Sequence, residues 1–519
     1  MGEKKPDSAF DADVLVIGGG INGAGIARDA VGRGLSVILC DKGDLAGGTS
    51  SASTKLIHGG LRYLEHYEFG LVRSALSERE VLLSNAPHII WPLRFILPQS
   101  PGVRPAWLIR LGLFLYDHLG KRKRLPGSGA ISLKNTPQGR PLKPELTKAA
   151  YYSDCWVDDA RLVVLNAIDA SERGAKILTR TECVCAEPAG SGWRATLADR
   201  RTGDEIDIRA RLVVNAAGPW AEKCLTDVIE GAHVTPLRLV RGSHIIVPKM
   251  FDHDDAYIFQ NPDKRIVFAI PYERDFTMIG TTDEDFDGSL DDVQASEREI
   301  EYLIETANRF FNERVSRNAI VRSFSGVRPL LGGGTDDAKE VTRDYRLDLR
   351  KTTSGAPVLS VLGGKITTYR KLAEQAVEKI SETLGVDGAA WTASAPLPGG
   401  DVADGDIDEF ARTFAEQHPW LPENLRQHYV HTYGTRASVL LQGARRIEDL
   451  GHHFGAGLYE REVLYLIGNE WAVTADDILW RRTKLGLHGE ATMADELQRW
   501  LDARPDHENT ELSSSEKAL

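Results

Sequence analysis

The chain has 519 residues, enough for two or three compact domains of ~100 to 200 residues each. Apolar residues make up 42% of it and charged residues 27%, which excludes a disordered, collagen-like or polytopic membrane chain. With 63 Lys and Arg against 75 Asp and Glu, the net charge of −12 excludes a broad attraction to nucleic acid, so any anion site must be a local cationic pocket. Met1 to Phe10 is polar and lacks the apolar centre of a secretory signal, so cytoplasmic synthesis is expected. The five cysteines, Cys40, Cys155, Cys183, Cys185 and Cys224, contain no C-x-x-C pair and suit a reducing compartment. No run of ~20 uncharged apolar residues occurs, which excludes an ordinary spanning helix but not a protein lying on a membrane.

The first predicted element is a strand, Asp13 to Ile17, running directly into Gly18-Gly19-Gly20-Ile21-Asn22-Gly23 and then a helix to Arg33. Each glycine has a physical task. Gly18 permits the tight turn, Gly20 lets backbone approach a pyrophosphate, and Gly23 lets helix and strand pack closely, with the helix N-terminus facing phosphate charge. Gly34 closes the helix, Leu35 to Cys40 forms the next strand, and Asp41 stands at its end, 23 residues after Gly18, where an acid can accept ribose hydroxyl bonds. Strand, glycine turn, helix and spaced acid together predict a dinucleotide site, without deciding between NAD and FAD.

Arg104 to Gly120 is apolar and aromatic, and Lys121-Arg122-Lys123-Arg124 follows directly. That pattern fits an interfacial helix on anionic lipid, the preferred reading, with a helix on the core and a solvated basic end as the alternative. Arg211 to Trp220 reads as a buried strand ending in small residues, Ala216, Ala217 and Gly218, suited to a close pass of adenosine or pyrophosphate. Between residues 236 and 324, five short β-like runs divided by polar turns predict a largely antiparallel sheet. Pro357 to Leu362 is a further strand, followed by Gly363-Gly364-Lys365 and by Ile366, Tyr369, Ala373, Ala376, Val377, Ile380 and Leu384 at helical spacing. A helix N-terminus beside Lys365 would stabilise negative charge building on a flavin ring, which favours FAD, although the unit also reads as another crossover of the same sheet. Pro396 to Asp401 resembles a linker, the remainder is helical in pattern, as in Val463 to Trp471, and Asp502 to Leu519 is polar and frayed.

Thr49-Ser50-Ser51-Ala52-Ser53-Thr54-Lys55-Leu56-Ile57-His58-Gly59-Gly60-Leu61-Arg62-Tyr63-Leu64 resembles the segment that follows the second strand in FAD-dependent glycerol-3-phosphate dehydrogenases, close to the bacterial aerobic type. The likeness continues through Tyr152 to Leu162, Gly242-Ser243-His244, Ser325 to Pro329, Thr342 to Tyr345 and Gly363 to Leu372, and departs at the Gly/Asp-rich stretch Leu331 to Lys339. It implies oxidation of sn-glycerol 3-phosphate to dihydroxyacetone phosphate, non-covalent FAD, and electrons passed to a membrane quinone. Also implied is a C-terminal helical domain containing Trp480 to Lys484; because a quinone acceptor requires membrane access, peripheral contact with anionic lipid at the inner face of the plasma membrane is expected, with residues 104–124 as the candidate surface.

The resulting fold class is α/β: a Rossmann-like FAD domain (11–90, 150–235 and 325–390), inserted, mainly antiparallel substrate-binding material (91–149 and 236–324), and an all-α C-terminal domain (396–519). The cofactor-binding set under the resemblance is Gly18, Gly20, Asn22, Gly23, Asp41, Thr49, Ser50, Ser51, Lys55, Leu56, His58, Gly59, Gly60, Ala217, Gly218, Gly364, Lys365, Ile366 and Thr367. Flavin oxidation of a secondary alcohol needs a base and an alkoxide stabiliser near the carbinol carbon, with a phosphate anchor farther away. Arg62, Tyr63 and Arg343 are assigned chiefly to the phosphate, and Arg328, His244 and Lys365 to the reacting end, Arg328 and Lys365 also touching substrate. His244 is taken as the base because an unperturbed imidazole, with a pKa of about 6.5, accepts a proton near neutrality. His58 leaves covalent flavin attachment as an alternative. A soluble glycerol-3-phosphate oxidase using oxygen, a non-catalytic flavin sensor and a homodimer remain open, and no metal is expected.

Overall fold

Val14, Leu15 and Val16 are fully buried, and a run of apolar residues covered on both sides belongs in the middle of a layered sheet. The computed structural model describes residues 10–61, 64, 67–100, 104–120, 122–332 and 345–504, and in it the strand Ala12–Ile17 is such a central strand. Its parallel neighbours are Val37–Cys40 and Glu205–Asn215, with Val14 level with both Val37 and Leu212. The sheet continues on one side to Lys176–Leu178, and on the other through Pro357–Leu362 to an antiparallel edge strand, Arg346–Lys351. Because side chains alternate along a strand, Val14 and Val16 meet one core while Leu15, between them, meets another. The first core is closed by the helices Ile21–Gly32, Asp159–Glu172 and Tyr369–Leu384. The second lies under the antiparallel hairpin of Thr181–Ala189 and Gly192–Asp199.

A ten-stranded sheet stands beside this layer. It is antiparallel apart from the pairing of Ala256–Gln260 with Ile90–Pro98, and it includes Leu237–Pro248, Ile266–Tyr272, Phe276–Gly280, Lys148–Val157 and Arg322–Leu331. The largely antiparallel sheet expected between residues 236 and 324 is therefore present, and it draws in strands from both sides of that segment. The long strands Leu237–Pro248 and Arg322–Leu331 pair over ten positions, with His244 opposite Phe324 and Val240 opposite Arg328. This register places residues from two distant stretches of sequence at one end of the sheet.

One expected element starts late. The helix after Pro357–Leu362 runs Tyr369–Leu384, and Ile366–Thr368 is a separate 3-10 turn. The reason is local: Gly363 and Gly364 have φ of +76° and +106° and Lys365 is extended, so helical dihedrals cannot begin before Ile366. At the C-terminal end, Ile407–Gln417, Glu423–Tyr433, Glu460–Glu470 and Met493–Asp502 enclose a core of their own that includes Phe414, Tyr429, Tyr433, Leu466 and Leu497. Buried ion pairs fasten this unit to the rest: Arg161 with Glu470, Arg482 with Asp44, and Lys484 with Asp158.

Candidate active site

The turn after the first strand is built from contacts only glycine tolerates. Gly18 has φ +115°, and a Cβ there would sit 2.5 Å from the Ala216 carbonyl oxygen; a Cβ on Gly23 would lie 1.9 Å from the carbonyl oxygen of Gly18. Gly18 and Gly23 thus close the turn on the strand end Asn215-Ala216, while Gly20 faces open space except for the Ser50 hydroxyl at 3.1 Å. The helix Ile21–Gly32 has no side-chain cap and no acid in its first turn, so its positive end is left for an external anion. Asp41 is half-buried and held by backbone amides: Gly19 donates at 2.6 Å and Gly43 at 2.7 Å. Burial raises its pKa against these two bonds, and each oxygen keeps a lone pair for a further hydroxyl. Asn22 donates through Nδ2 to the Gly363 carbonyl at 3.2 Å, leaving its Oδ1 a buried acceptor with no donor among the described residues.

These groups line a cleft of about 900 Å³. One end is walled by Asp41 to Asp44, Arg180 to Cys183 and Arg481, the other by Thr54, His58, His244, Phe268, Thr281, Arg328 and Lys365. The donors fit FAD: a helix end and bare glycine turn for pyrophosphate, a held carboxylate for ribose, an orphan acceptor for a hydroxyl-bearing chain, and a cleft roomy enough for one ligand to reach them all.

At the far end, His244 is buried, with Nε2 3.0 Å from the Thr54 hydroxyl and its ring stacked on Phe324 at 4.8 Å between centroids. Burial first, and then the charges of Lys55 and Arg328, lower its pKa to about 3. The premise that His244 titrates near neutrality is corrected: the side chain is a neutral imidazole across the physiological range. Arg328 uses Nη2 for the Thr282 carbonyl at 3.0 Å and for Asp283 at 2.6 Å. Lys365 stands at the start of the turn Ile366–Thr368, on the same wall.

Of the residues singled out from sequence, Gly18, Gly20, Asn22, Asp41, Thr49, Ser50, Leu56, His58, Ala217, Gly218, Gly364, Lys365, Ile366, Thr367, His244 and Arg328 line this one cleft. Gly23, Ser51, Lys55, Gly59 and Gly60 are not on its wall. Gly23 packs on the turn, Gly59 packs against Leu76 and Tyr116, and the Lys55 ammonium is buried on Asp159 at 2.6 Å and the Ser51 carbonyl at 3.0 Å. Arg62, Tyr63, Lys121, Arg343 and most of the divergent stretch up to Lys339 lie outside the described residues. Sequence reasoning missed Thr54, Phe324, Asp283, Thr281, Arg180 and Arg481. Thr54 lay inside a segment already noted; Arg481 reaches Asp44 at 2.7 Å across 437 positions, a contact without any local signature.

Comparison with known proteins places this geometry. The family described as FAD dependent oxidoreductase matches residues 13–370, and the C-terminal domain of alpha-glycerophosphate oxidase matches residues 390–503. The chain is 54% identical to a D-erythritol 1-phosphate dehydrogenase of Brucella abortus, over 94% of this chain and 97% of that one. It is 52% identical to a glycerol-3-phosphate dehydrogenase of Pseudomonas aeruginosa, over 95% and 96% of the two chains. Among solved structures, the glycerol-3-phosphate dehydrogenase of Bacillus halodurans complexed with FAD is similar at a TM-score of 0.75 and 27% identity, covering 97% of this chain and 93% of that one.

Proposed function

The chain belongs to the FAD-dependent oxidoreductase family, in its glycerol-3-phosphate dehydrogenase branch, and from that footing we propose that it oxidises sn-glycerol 3-phosphate to dihydroxyacetone phosphate and passes the electrons to a membrane quinone. The observation that carries the reading is a single cleft joining the glycine turn and Asp41 to His244, Arg328 and Lys365. When bound, the flavin accepts the hydride that leaves the carbinol carbon. The hydroxyl proton goes to His244, with Thr54 holding the imidazole in place, and Arg328 and Lys365 stabilise the developing alkoxide. A substrate phosphate dianion, anchored by Arg62, Tyr63 and Arg343, offsets the Lys55 and Arg328 charges that add to burial in lowering the His244 pKa, so its basicity rises when substrate arrives. We take the FAD as non-covalent; acid precipitation then releases it, whereas attachment at His58 would retain it.

The relative named for D-erythritol 1-phosphate motivates a second reading, in which the substrate is that four-carbon ester. Steady-state turnover with each ester, with a quinone analogue and then oxygen as acceptor, tests both. Our reading expects a higher kcat/KM for glycerol 3-phosphate and reduction of the quinone analogue without stoichiometric peroxide. Preference for the erythritol ester reverses the substrate assignment, peroxide formation indicates an oxidase, and no turnover with either ester leaves the sensor reading.

For membrane access, the helix Ala106–Leu119 buries Ile109, Leu113 and Tyr116 while Trp107 and Phe114 are 67% and 57% exposed, with Leu108 and Leu111 between them. No helix among the described residues is long and apolar enough to cross a membrane. We place this exposed apolar face on anionic lipid at the inner surface of the plasma membrane. Its basic end is partly engaged already, because Arg122 pairs with Asp117 and Arg124 donates to the Asp404 and Gly405 carbonyls. The apolar side chains therefore carry more of the contact than the charges do.

A further inference from the structure

A second cavity, of about 570 Å³, adjoins the cleft, and its walls come from both the antiparallel sheet and the C-terminal unit. We propose that it is a second ligand site, taking a small oxyanion, phosphate or carboxylate, on the guanidinium of Arg322. Four cations line it beside three carboxylates, Asp291, Asp292 and Asp476; three of the cations are neutralised, Lys55 by Asp159, Lys484 by Asp158, and Arg481 by Asp44, Asp476 and Asp477, while Asp291 is held by Lys42 and Asp292 accepts from Gln294. Arg322 differs, since its guanidinium forms no hydrogen bond or ion pair with the described residues. Its Cζ lies instead over the Trp480 ring, 3.4 Å from the centroid. Stacking covers the face of the fork and leaves its in-plane N–H donors for an acceptor, the arrangement that suits a bidentate oxyanion. Half-buried charge without a partner is costly, and burial accordingly pulls the Arg322 pKa below its ordinary value despite Asp476. An arriving anion removes that cost.

The second cavity shares a wall with the flavin cleft at Gly47 to Thr49, Ala52, Trp220 and Arg481, but Arg322, Trp480 and Lys484 line the second cavity alone, as does Phe324, whose ring stacks on His244. Its volume falls within the range of metabolite pockets and far exceeds the ~30 Å³ of a single water. Arg322 opens the strand Arg322–Leu331 and Trp480 lies on the helical turn Asp477–Arg482, so an occupant bridges the sheet and the C-terminal unit.

The test titrates FAD-loaded protein calorimetrically with inorganic phosphate, and in a parallel arm with acetate, while the flavin absorption band is followed. A phosphate event that leaves the band unmoved is expected in the parent, lost in R322Q and weakened several-fold in R322K, with turnover of both variants unchanged. Acetate reproducing that event assigns the site to carboxylates; acetate giving no heat assigns it to phosphate. An R322Q protein that keeps the flavin-silent event overturns the proposal, as does a parent protein in which neither anion produces one. Should R322Q fail to fold, R322K decides, because it keeps the charge and loses the planar fork: parent-like affinity in R322K contradicts the bidentate site.

Discussion

A methyl group on Gly280 would lie 2.1 Å from Cδ2 of His244, so this glycine exists to let the imidazole lie against the strand. G280A should therefore push the ring off its Thr54 bond. We expect flavin content to be retained and the rate of flavin reduction by substrate to fall by about 100-fold, the scale of an ångström misplacement. Stopped-flow reduction at parental rate would show that the ring position does not matter. His244 also has a thermodynamic signature, shared with His88, whose pKa burial likewise lowers to about 3. Both imidazoles bind a proton readily only in the unfolded chain, near pH 6.5, so their contribution to stability is complete above that value and is lost as pH falls from 6.5 toward 3. Each should add a slope of about 1.4 kcal/mol per pH unit. Urea unfolding between about pH 6.5 and pH 5, above the ordinary carboxylate range, reads their slope together with that of His253, His418, His431 and His488, whose pKa values burial also lowers, so the difference between parent and variant gives the share of His244. H244Q should reduce the slope by one proton, and an unchanged slope would contradict a depressed pKa.

Among the elements, the loop after Val37–Cys40 is held from a distance. Arg482 is fully buried and donates twice to Asp44 at 2.8 Å, Arg481 adds a bond at 2.7 Å, and Asp44 shares the cleft wall with Asp41. Breaking one buried partner of such a pair costs about 3–5 kcal/mol. R482L should consequently loosen FAD, read as faster release of flavin fluorescence on dilution, with kcat restored by excess FAD; flavin retention equal to the parent's would show the clamp to be irrelevant. The helix Ala106–Leu119 makes a separate prediction, since its outer face is apolar where a soluble helix is polar. Replacing Trp107, Leu111 and Phe114 together by Ser should abolish most co-sedimentation with anionic liposomes while leaving flavin content intact. Unchanged sedimentation would move the membrane contact elsewhere.

For the whole molecule, what was legible in sequence was what depends on neighbours along the chain. Gly18, Gly20, Gly23 and Asp41 could be read because turn, helix start and strand end lie within one short segment, and each obeys a steric rule. The antiparallel sheet was readable from short β-like runs divided by polar turns, whereas its extension by Lys148–Val157 and Arg322–Leu331 was not, because pairing depends on long-range register. Arg328 and His244 enter the same cleft through such a register, and their choice rested on a family resemblance instead of spacing. The pKa of His244 could not be read at all, for it follows from burial and from Lys55 and Arg328, which only folding brings near. The late start of the helix Tyr369–Leu384 was hidden by an apolar period that runs unbroken through the preceding turn.

The central claim is that one cleft brings an FAD and a phosphorylated polyol together. Its most direct test is anaerobic mixing of the FAD-loaded protein with sn-glycerol 3-phosphate while the visible absorption of the oxidised flavin is followed. The account predicts rapid and complete loss of that absorption, with one dihydroxyacetone phosphate formed per flavin. A flavin that stays oxidised under excess substrate would contradict it.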